Sequence, residues 1–308
     1  MRGKFLIGCL LAGLLGRIWT CRSGFDRRME VFLNAEGNGS RELTQQEKDL
    51  LRIEQFRLMD DDFFSEALDE KIEAVEYILN TILERDDLVV TSTKAQVEYK
   101  SAVKRSIRLD IKAVDADGEV ADIEIQRADR GSGVRRARYH SSMIDRTLLS
   151  KNEDFEDLPD TYVIFITEND KFDKGKPLYH IERKIEEMDD ALFDDGAHII
   201  YVNGEFQDPD HPVGRLMHDF HCTRAEDMYS SVLADEVRYL KETEGGRSHM
   251  CKAMEEMREE AALEAKHKQA METALRMLAD GRFSNDDIAS FNGLSLSEVE
   301  ELAGQKIA

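Results

Sequence analysis

The clearest pattern in the chain is a helical repeat of apolar residues between positions 60 and 84. The apolar residues recur every three or four positions with acidic residues between them, which predicts one amphipathic helix with a continuous core face. The apolar positions are Phe64, Leu68, Ile72, Val75, Leu79, Ile82 and Leu83.

Segments rich in β-forming residues follow this helix. Three of them, at 97–103, 107–114 and 119–126, predict a meander, because the turn residues Asp117 and Gly118 separate the last two. A helix is expected over residues 133–150. A strand buried on both faces is expected over residues 161–167, where nearly every residue is apolar. The predicted fold class is α/β, in the order helix, three-strand meander, helix, strand.

The C-terminal third is predicted to be mainly helical. Two glycines suggest a linker before a long Glu/Ala/Lys-rich helix, and Ser295 with Glu298 forms a possible capping box for the last helix. We therefore expect a main domain over residues 29–243 and a helical extension over residues 244–308. The expected elements are a strand at 198–202, a helix at 225–242, a linker at 244–248, a helix at 252–279 and two short helices around Asn292-Gly293.

Composition limits the classes of partner and site. The formal net charge of -22 repels polyanions at long range, so a nucleic-acid partner would need a local basic cluster. The 4 cysteines are scattered without a CxxC pair, so the sequence does not suggest a disulfide framework, and a reducing, cytoplasmic location is expected. A zinc site is not expected, because no second ligand cluster accompanies His211, His218, His221 and Cys222.

Residues 1–28 differ from the rest of the chain. A basic start precedes an apolar run at positions 5–16, which is too short to cross a bilayer as a helix. The segment is either a signal peptide or an extension upstream of a true start at Met29, and the lack of a small-residue cleavage pattern favours Met29. No stable membrane association is expected.

The hairpin of the second and third β segments brings polar residues together. A loop Ala116-Asp117-Gly118 with Gly118 in the left-handed conformation makes paired residue numbers sum to about 234, which places Asp110 opposite Glu124. Alternation then predicts one polar and one apolar face. The polar face would carry Arg108, Asp110, Lys112, Asp122, Glu124 and Gln126, and the apolar face Leu109, Ile111, Ile123 and Ile125.

Two facing carboxylates can be explained in two ways. Carboxylates about 5 Å apart repel each other, and a bound divalent cation such as Mg²⁺ removes that repulsion. Mg²⁺ binds carboxylates together with phosphate and water, and it favours attack on a phosphodiester. A solvated polar face, with Arg108 and Lys112 pairing the acids, explains the same alternation. The pattern alone leaves both interpretations open.

Three motifs add a family resemblance. The sequences RLD at 108–110, DIEIQR at 122–127 and RARY at 136–139, in this order and spacing, resemble the PD-(D/E)XK nuclease family transposases, or recombination-promoting nucleases. The similarity covers roughly residues 56–243. It implies a restriction-endonuclease-like core and a metal-dependent DNA endonuclease serving recombination or transposition, with Mg²⁺ as cofactor and Mn²⁺ as the alternative.

The resemblance also implies roles for individual residues. Asp110, Glu124 and Gln126 would be catalytic, with Asp110 and Glu124 as metal ligands. Gln126 stands where the broader superfamily has a lysine, and since it carries no charge it can orient water or substrate but cannot be a general base. The superfamily often adds an acid from the first helix, for which Glu73 and Glu76 are candidates and Glu76 is preferred as a metal ligand.

A dense basic cluster follows the predicted ligands. It could neutralise phosphates or pair with neighbouring acids, and its position beside the metal site favours phosphate contact by Arg127, Arg135 and Arg138, with DNA as the partner. His140 in the same helix is expected either to pack or to contact substrate, and packing is the preferred role. The cluster consists of Arg127, Arg130, Arg135, Arg136 and Arg138.

The acidic tail and Gln126 motivate alternatives. The terminal helix pair would repel a DNA backbone, so we expect the C-terminal helices either to support a homo-oligomer or to form a folded tail. The Glu/Lys-rich helix before them also fits a solvated single helix. The competing function is a catalytically inactive nuclease fold that binds DNA or a protein.

Overall fold

The computed structural model describes residues 43–99, 107–127 and 132–305 of the chain. The chain divides into two units, Met1–Lys48 and Asp49–Ala308, and the fold described below is that of the second. Residues 1–28, where a leader or a late start was expected, lie outside the described residues, as does Arg130.

The central layer of the fold is a mixed β-sheet. Its order is β1-β2-β3-β4-β8-β5, where β3, β4 and β8 run parallel and the other neighbours pair antiparallel. Strands β6 and β7 form a separate ribbon. The strands are β1 (Val90–Tyr99), β2 (Ile107–Asp115), β3 (Val120–Gln126), β4 (Thr161–Thr167), β5 (Leu178–Ile181), β6 (Lys184–Ile185), β7 (Ala191–Leu192) and β8 (Ala197–Asn203).

Helices cover both faces of this sheet. The order helix, three-strand meander, helix, strand is confirmed, and no helix among the described residues is long and apolar enough to cross a membrane. The helices are α1 (Gln45–Gln55), α2 (Asp61–Leu68), α3 (Ile72–Ile82), α4 (Val134–Leu148), α5 (Pro212–His221), α6 (Ser231–Glu242), α7 (Glu244–Asp280), α8 (Asn285–Asn292) and α9 (Leu296–Gln305).

The helix predicted over residues 60–84 is two helices. The chain breaks between α2 and α3, where Glu70 has a positive φ of 59°. The Asp69 side chain accepts a hydrogen bond from the backbone N–H of Ala95 in β1, at 2.8 Å. The prediction of one helix was wrong because the apolar repeat continues through the break, whereas a contact distant in sequence stabilises the turn.

Two apolar clusters lie on opposite faces of the sheet. The larger one packs α2, α3, α5 and α6 against side chains such as Ile123, Ile125 and Ile164. The smaller one packs α4 against the other face, with Phe165 and Tyr201 at its centre. Strand β3 therefore lies inside the domain, with neighbouring strands along both edges and helices over both faces.

The expected linker at 244–248 is helical. Helix α7 begins at Glu244, and the Thr243 hydroxyl caps it by accepting a hydrogen bond from the N–H of Gly246. The start of α7 packs on the larger cluster through Met250 and Met254. Its end forms a separate small core with α8 and α9, and the predicted Ser295 capping box is confirmed.

We predict opposite effects for alanine at two neighbouring glycines. A Cβ at buried Gly246 would lie 2.0 Å from the carbonyl oxygen of Tyr239, whereas one at exposed Gly245 meets nothing closer than 3.8 Å. Gly246→Ala should lower the free energy of unfolding by about 1–3 kcal/mol through overpacking. Gly245→Ala should raise it by about 0.5–1 kcal/mol through helix propensity. Urea denaturation measures both, and equal effects would contradict the close approach of α6 and α7.

Candidate active site

The β2–β3 hairpin has the predicted register. Gly118 has a positive φ of 87°, and its N–H donates to the carbonyl oxygen of Asp115. Ile111 pairs with Ile123 and Lys112 with Asp122, so the predicted sum of paired residue numbers holds. The turn glycine and the alternation therefore set which side chains face each other.

The backbone hydrogen-bond ladder between β2 and β3 is interrupted after the pair Ile111 and Ile123. Two carboxylates, those of Asp110 and Glu124, lie at the interruption. The backbone N–H of Asp110 donates to Oε1 of Glu124 at 3.2 Å, and the N–H of Ile125 donates to Oδ2 of Asp110 at 3.0 Å. Side-chain oxygens accept these hydrogen bonds where ladder carbonyls normally would. Each carboxylate is thus fixed by the backbone of the opposite strand.

The alternation of β2 changes at Asp110. Leu109 packs in the smaller cluster and Ile111 in the larger one, although two residues apart on a regular strand share a face. Arg108 consequently lies with Ser65 and Glu66 of α2. The expectation that Arg108 shares a face with Asp110 and Lys112 was wrong, because the open ladder lets the strand turn.

The two acids on β3, Glu124 and its neighbour Asp122, are fully buried against α4. Asp122 and Glu124 are both 0% exposed. Nη2 of Arg136 is 2.7 Å from Oε2 of Glu124, and Nδ1 of His140 is 3.0 Å from Oδ2 of Asp122 and 3.7 Å from Oε1 of Glu124. Arg136 and His140 are four residues apart, so one face of α4 presents both.

The hydrogen bonds assign the tautomer of His140. Nε of Arg136 always carries a proton and lies 3.2 Å from Nε2 of the ring, so Nε2 accepts. The ring proton is then on Nδ1 and is donated to Asp122. The guanidinium also lies 5.8 Å from the centre of the Phe165 ring. One imidazole and one guanidinium therefore face the carboxylates from α4.

Burial and mutual repulsion raise the pKa of all three carboxyl groups. Burial, followed by the charges of Asp122 and Asp110, raises the pKa of Glu124 to about 9. Burial raises the pKa of Asp110 to about 6, and the charge of Asp61 adds to this rise. Burial and the charge of Asp110 raise the pKa of Asp122 well above its ordinary value. The cluster holds protons at a pH where carboxyl groups normally do not.

The donor set fits a divalent cation. Oδ1 of Asp122 is buried without a hydrogen-bond partner among the described residues. Asp122, Glu124 and His140 each offer a ligand atom, and these atoms lie within 4.8 Å of one another. A buried oxygen without a partner is costly unless a cation compensates it.

Comparison with known proteins shows the family of the chain. Residues 62–284 match the family described as PD-(D/E)XK nuclease family transposase, which is more than half of the chain. The chain belongs to this family. No curated protein and no solved structure gives a match. Family membership indicates that the protein is a PD-(D/E)XK nuclease-like transposase. PD-(D/E)XK nucleases generally use divalent metals.

Gln126 and Glu76 were both expected beside Asp110 and Glu124, and the structure places them differently. Gln126 ends β3 and is half-buried on the side of β3 that carries Asp122 and Glu124. Glu76 is elsewhere, because its carboxylate accepts a hydrogen bond from the N–H of Val90, which pairs with Asp115. Asp115 is five residues from Asp110 on β2, roughly 16 Å away. Glu76 is therefore not a ligand of this site.

The three arginines predicted to contact substrate fall into two groups. Nη1 of Arg127 is 2.6 Å from Oδ1 of Asp60, and its Nε is 3.4 Å from Oε2 of Glu168. These two acids neutralise its charge, which favours a structural role. Arg135 and Arg138 are exposed on α4 and share a face that differs from that of Arg136.

Some residues of the site were missed by sequence reasoning. His140 was expected to pack or to contact substrate, yet it contacts two carboxylates. Asp122 was assigned to a polar face or to pairing with the arginines, and its contact with a histidine was not expected. The spacing of Arg136 and His140 on one helix was the available signal. Asp61, in the first turn of α2, is the helix acid whose charge acts on Asp110.

A second group of metal-type side chains has another explanation. His218, Asp219 and Cys222 lie together near the end of α5. The Asp219 carboxylate already accepts hydrogen bonds from the N–H groups of Tyr229 and Ser230, at 2.7 and 2.8 Å. Its burial therefore needs no metal.

We predict that Asp110→Asn stabilises the metal-free protein at neutral pH. The pKa of Asp110 rises from 3.8 to about 6 on folding, so the folded protein binds an extra proton between these values and loses stability as the pH rises through them. Asparagine keeps an oxygen for the N–H of Ile125 and cannot ionise. The variant should gain about 1–3 kcal/mol at pH 7.5 and almost nothing at pH 4.

Urea denaturation in the presence of a chelator measures this difference. Asp117→Asn, in the exposed hairpin turn, is the matched control and should match the wild type at both pH values. A gain of equal size at both pH values would contradict the assigned electrostatic cause.

Proposed function

We propose that the protein is a divalent-metal-dependent DNA endonuclease that hydrolyses phosphodiester bonds in recombination or transposition. The observation that carries this proposal is the buried carboxylate pair Asp110 and Glu124, whose ladder positions and raised pKa values suit a cation. Mg²⁺ or Mn²⁺ is the proposed cofactor. Family membership supports the nuclease reaction class.

In this proposal the protein holds and orients the reacting groups. Asp110 and Glu124 would hold the metal, which when bound supplies positive charge for the phosphate and lowers the pKa of water. Gln126 can orient water or substrate through its amide but cannot accept a proton as a base. Arg136, hydrogen-bonded to Glu124, adds a cation next to the position of the phosphate.

DNA would approach along α4. The overall charge of -22 opposes this approach, so positive charge must be concentrated locally. Arg135 and Arg138 are exposed on α4, the helix that also supplies Arg136 and His140 to the acids. They are the proposed phosphate contacts. The homo-oligomer through the C-terminal helices stays a prediction.

Plasmid nicking tests the catalytic proposal. Purified protein with Mg²⁺ or Mn²⁺ should relax supercoiled DNA, and Asp110→Asn or Glu124→Gln should slow this by on the order of 100-fold or more because a metal ligand is lost. Asp117→Asn is the control and should cleave normally. Cleavage that persists in both ligand variants would overturn the assignment. DNA binding without metal uptake or cleavage would establish the inactive fold instead.

Salt dependence tests the DNA-binding face. Each phosphate contact contributes a slope of about 0.9 in log affinity against log salt for duplex DNA. Arg135→Ala with Arg138→Ala should therefore reduce the slope by about 2. Arg146→Ala, exposed in the last turn of the same helix, should leave it unchanged. A slope that Arg146→Ala alters as much as the double variant would contradict a localised contact.

A further inference from the structure

We propose that Asp122 and His140 join Glu124 in a cation site with a nitrogen ligand, which makes this chain select a first-row transition ion, with Mn²⁺ as the probe, over Mg²⁺. This inference rests on the proposed function and goes beyond it, since that function needs only the carboxylates Asp110 and Glu124. It concerns which metal the protein prefers and which residues decide the preference.

The spacing of the three side chains fits one ion. Nδ1 of His140 lies 3.0 Å from Oδ2 of Asp122 and 3.7 Å from Oε1 of Glu124, and all three ligand atoms lie within 4.8 Å of one another. Ligands held about 2.1 Å from an ion are about 3 to 4.3 Å from each other. The three ligand atoms are therefore close enough to surround one cation once the proton on Nδ1 has left.

The burial of Asp122 is the second observation. The side chain of Asp122 is 0% exposed, and its Oδ1 lacks a hydrogen-bond partner among the described residues. Glu124, which is equally buried, lies next to it. A hydrogen bond to one imidazole satisfies only Oδ2. A purely structural aspartate would be expected to have both oxygens bonded. A cation at this position satisfies the remaining oxygen and removes the repulsion between the two acids.

The nitrogen ligand decides the type of metal. Mg²⁺ prefers oxygen ligands and water and gains little from an imidazole. First-row transition ions accept imidazole more readily, and their affinity for such a site rises from Mn²⁺, the weakest binder of the series, towards Co²⁺ and Zn²⁺. Asp110 and Glu124 alone would form an all-oxygen site. His140 is 2% exposed and its ring is held by Asp122 and Arg136. For Nδ1 to bind an ion, the ring proton moves from Nδ1 to Nε2, and the half-buried Arg136 gives up its hydrogen bond to Nε2.

Calorimetry with two metals tests the selectivity. The full chain is titrated with MnCl₂ and MgCl₂ as wild type, as His140→Gln and as the control His218→Gln, which changes a half-exposed histidine near the end of α5. His140→Gln should weaken Mn²⁺ binding by on the order of 10- to 100-fold and Mg²⁺ binding by less than about 3-fold. The control should bind both ions like the wild type. Equal weakening of both ions by His140→Gln would overturn the proposal.

Electron spin-echo spectroscopy of bound Mn²⁺ gives a readout that does not depend on activity. The wild type should show coupling to ¹⁴N, and His140→Gln should lose it while His218→Gln keeps it. If His140→Gln does not fold, Asp122→Asn serves as the second variant. It keeps an acceptor for the ring and should lower Mn²⁺ affinity more than Mg²⁺ affinity.

The two proposals fail in different ways. Bound Mn²⁺ that supports cleavage but shows no ¹⁴N coupling in the wild type would overturn the nitrogen ligand and leave the nuclease proposal standing. A protein that binds neither ion and cleaves no DNA would overturn the nuclease proposal first, and this inference with it.

Discussion

The burial of two carboxyl groups on β3 is the constraint on which the rest of this structure depends. Strand β3 has β2 and β4 along its edges and helices over both faces, so Asp122 and Glu124 cannot reach water. Their charge must be reduced by protons or balanced by cations from within the protein. Helix α4 meets this need because Arg136 and His140 share the face that covers β3. The same contacts therefore hold α4 on the sheet and set the charge around the buried acids.

Asp110 shows how the hairpin holds a carboxylate at an interruption of its hydrogen-bond ladder. Its carboxylate accepts a backbone hydrogen bond from Ile125, so the side chain is held rigidly although the ladder is open there. The open ladder also lets Leu109 enter a different apolar cluster from Ile111. A cluster of acids with raised pKa values destabilises the folded chain at neutral pH, which is the usual consequence of arranging groups for binding rather than for stability.

The distribution of charge separates the site from the rest of the surface. The chain as a whole is strongly acidic, yet α4 carries arginines on two faces, one directed at the buried acids and one exposed. Arg127 resembles the other members of the cluster in sequence but is neutralised by Asp60 and Glu168. A basic cluster read from the sequence thus contains residues with different tasks, and only their partners distinguish them.

The sequence by itself determined the element order, the hairpin register and the family. These depend on local signals: apolar periodicity, the left-handed Gly118 and motifs a few residues long. The tertiary structure decided the rest. A contact from β1 stabilises the break after α2, and the direction of α3 turns Glu76 towards Val90 instead of the acids. The packing of α4 on β3 brings His140 to Asp122, 18 positions away. Such contacts depend on how helices and strands pack against one another. The periodicity along the chain carries no information about which residues of different elements come close together.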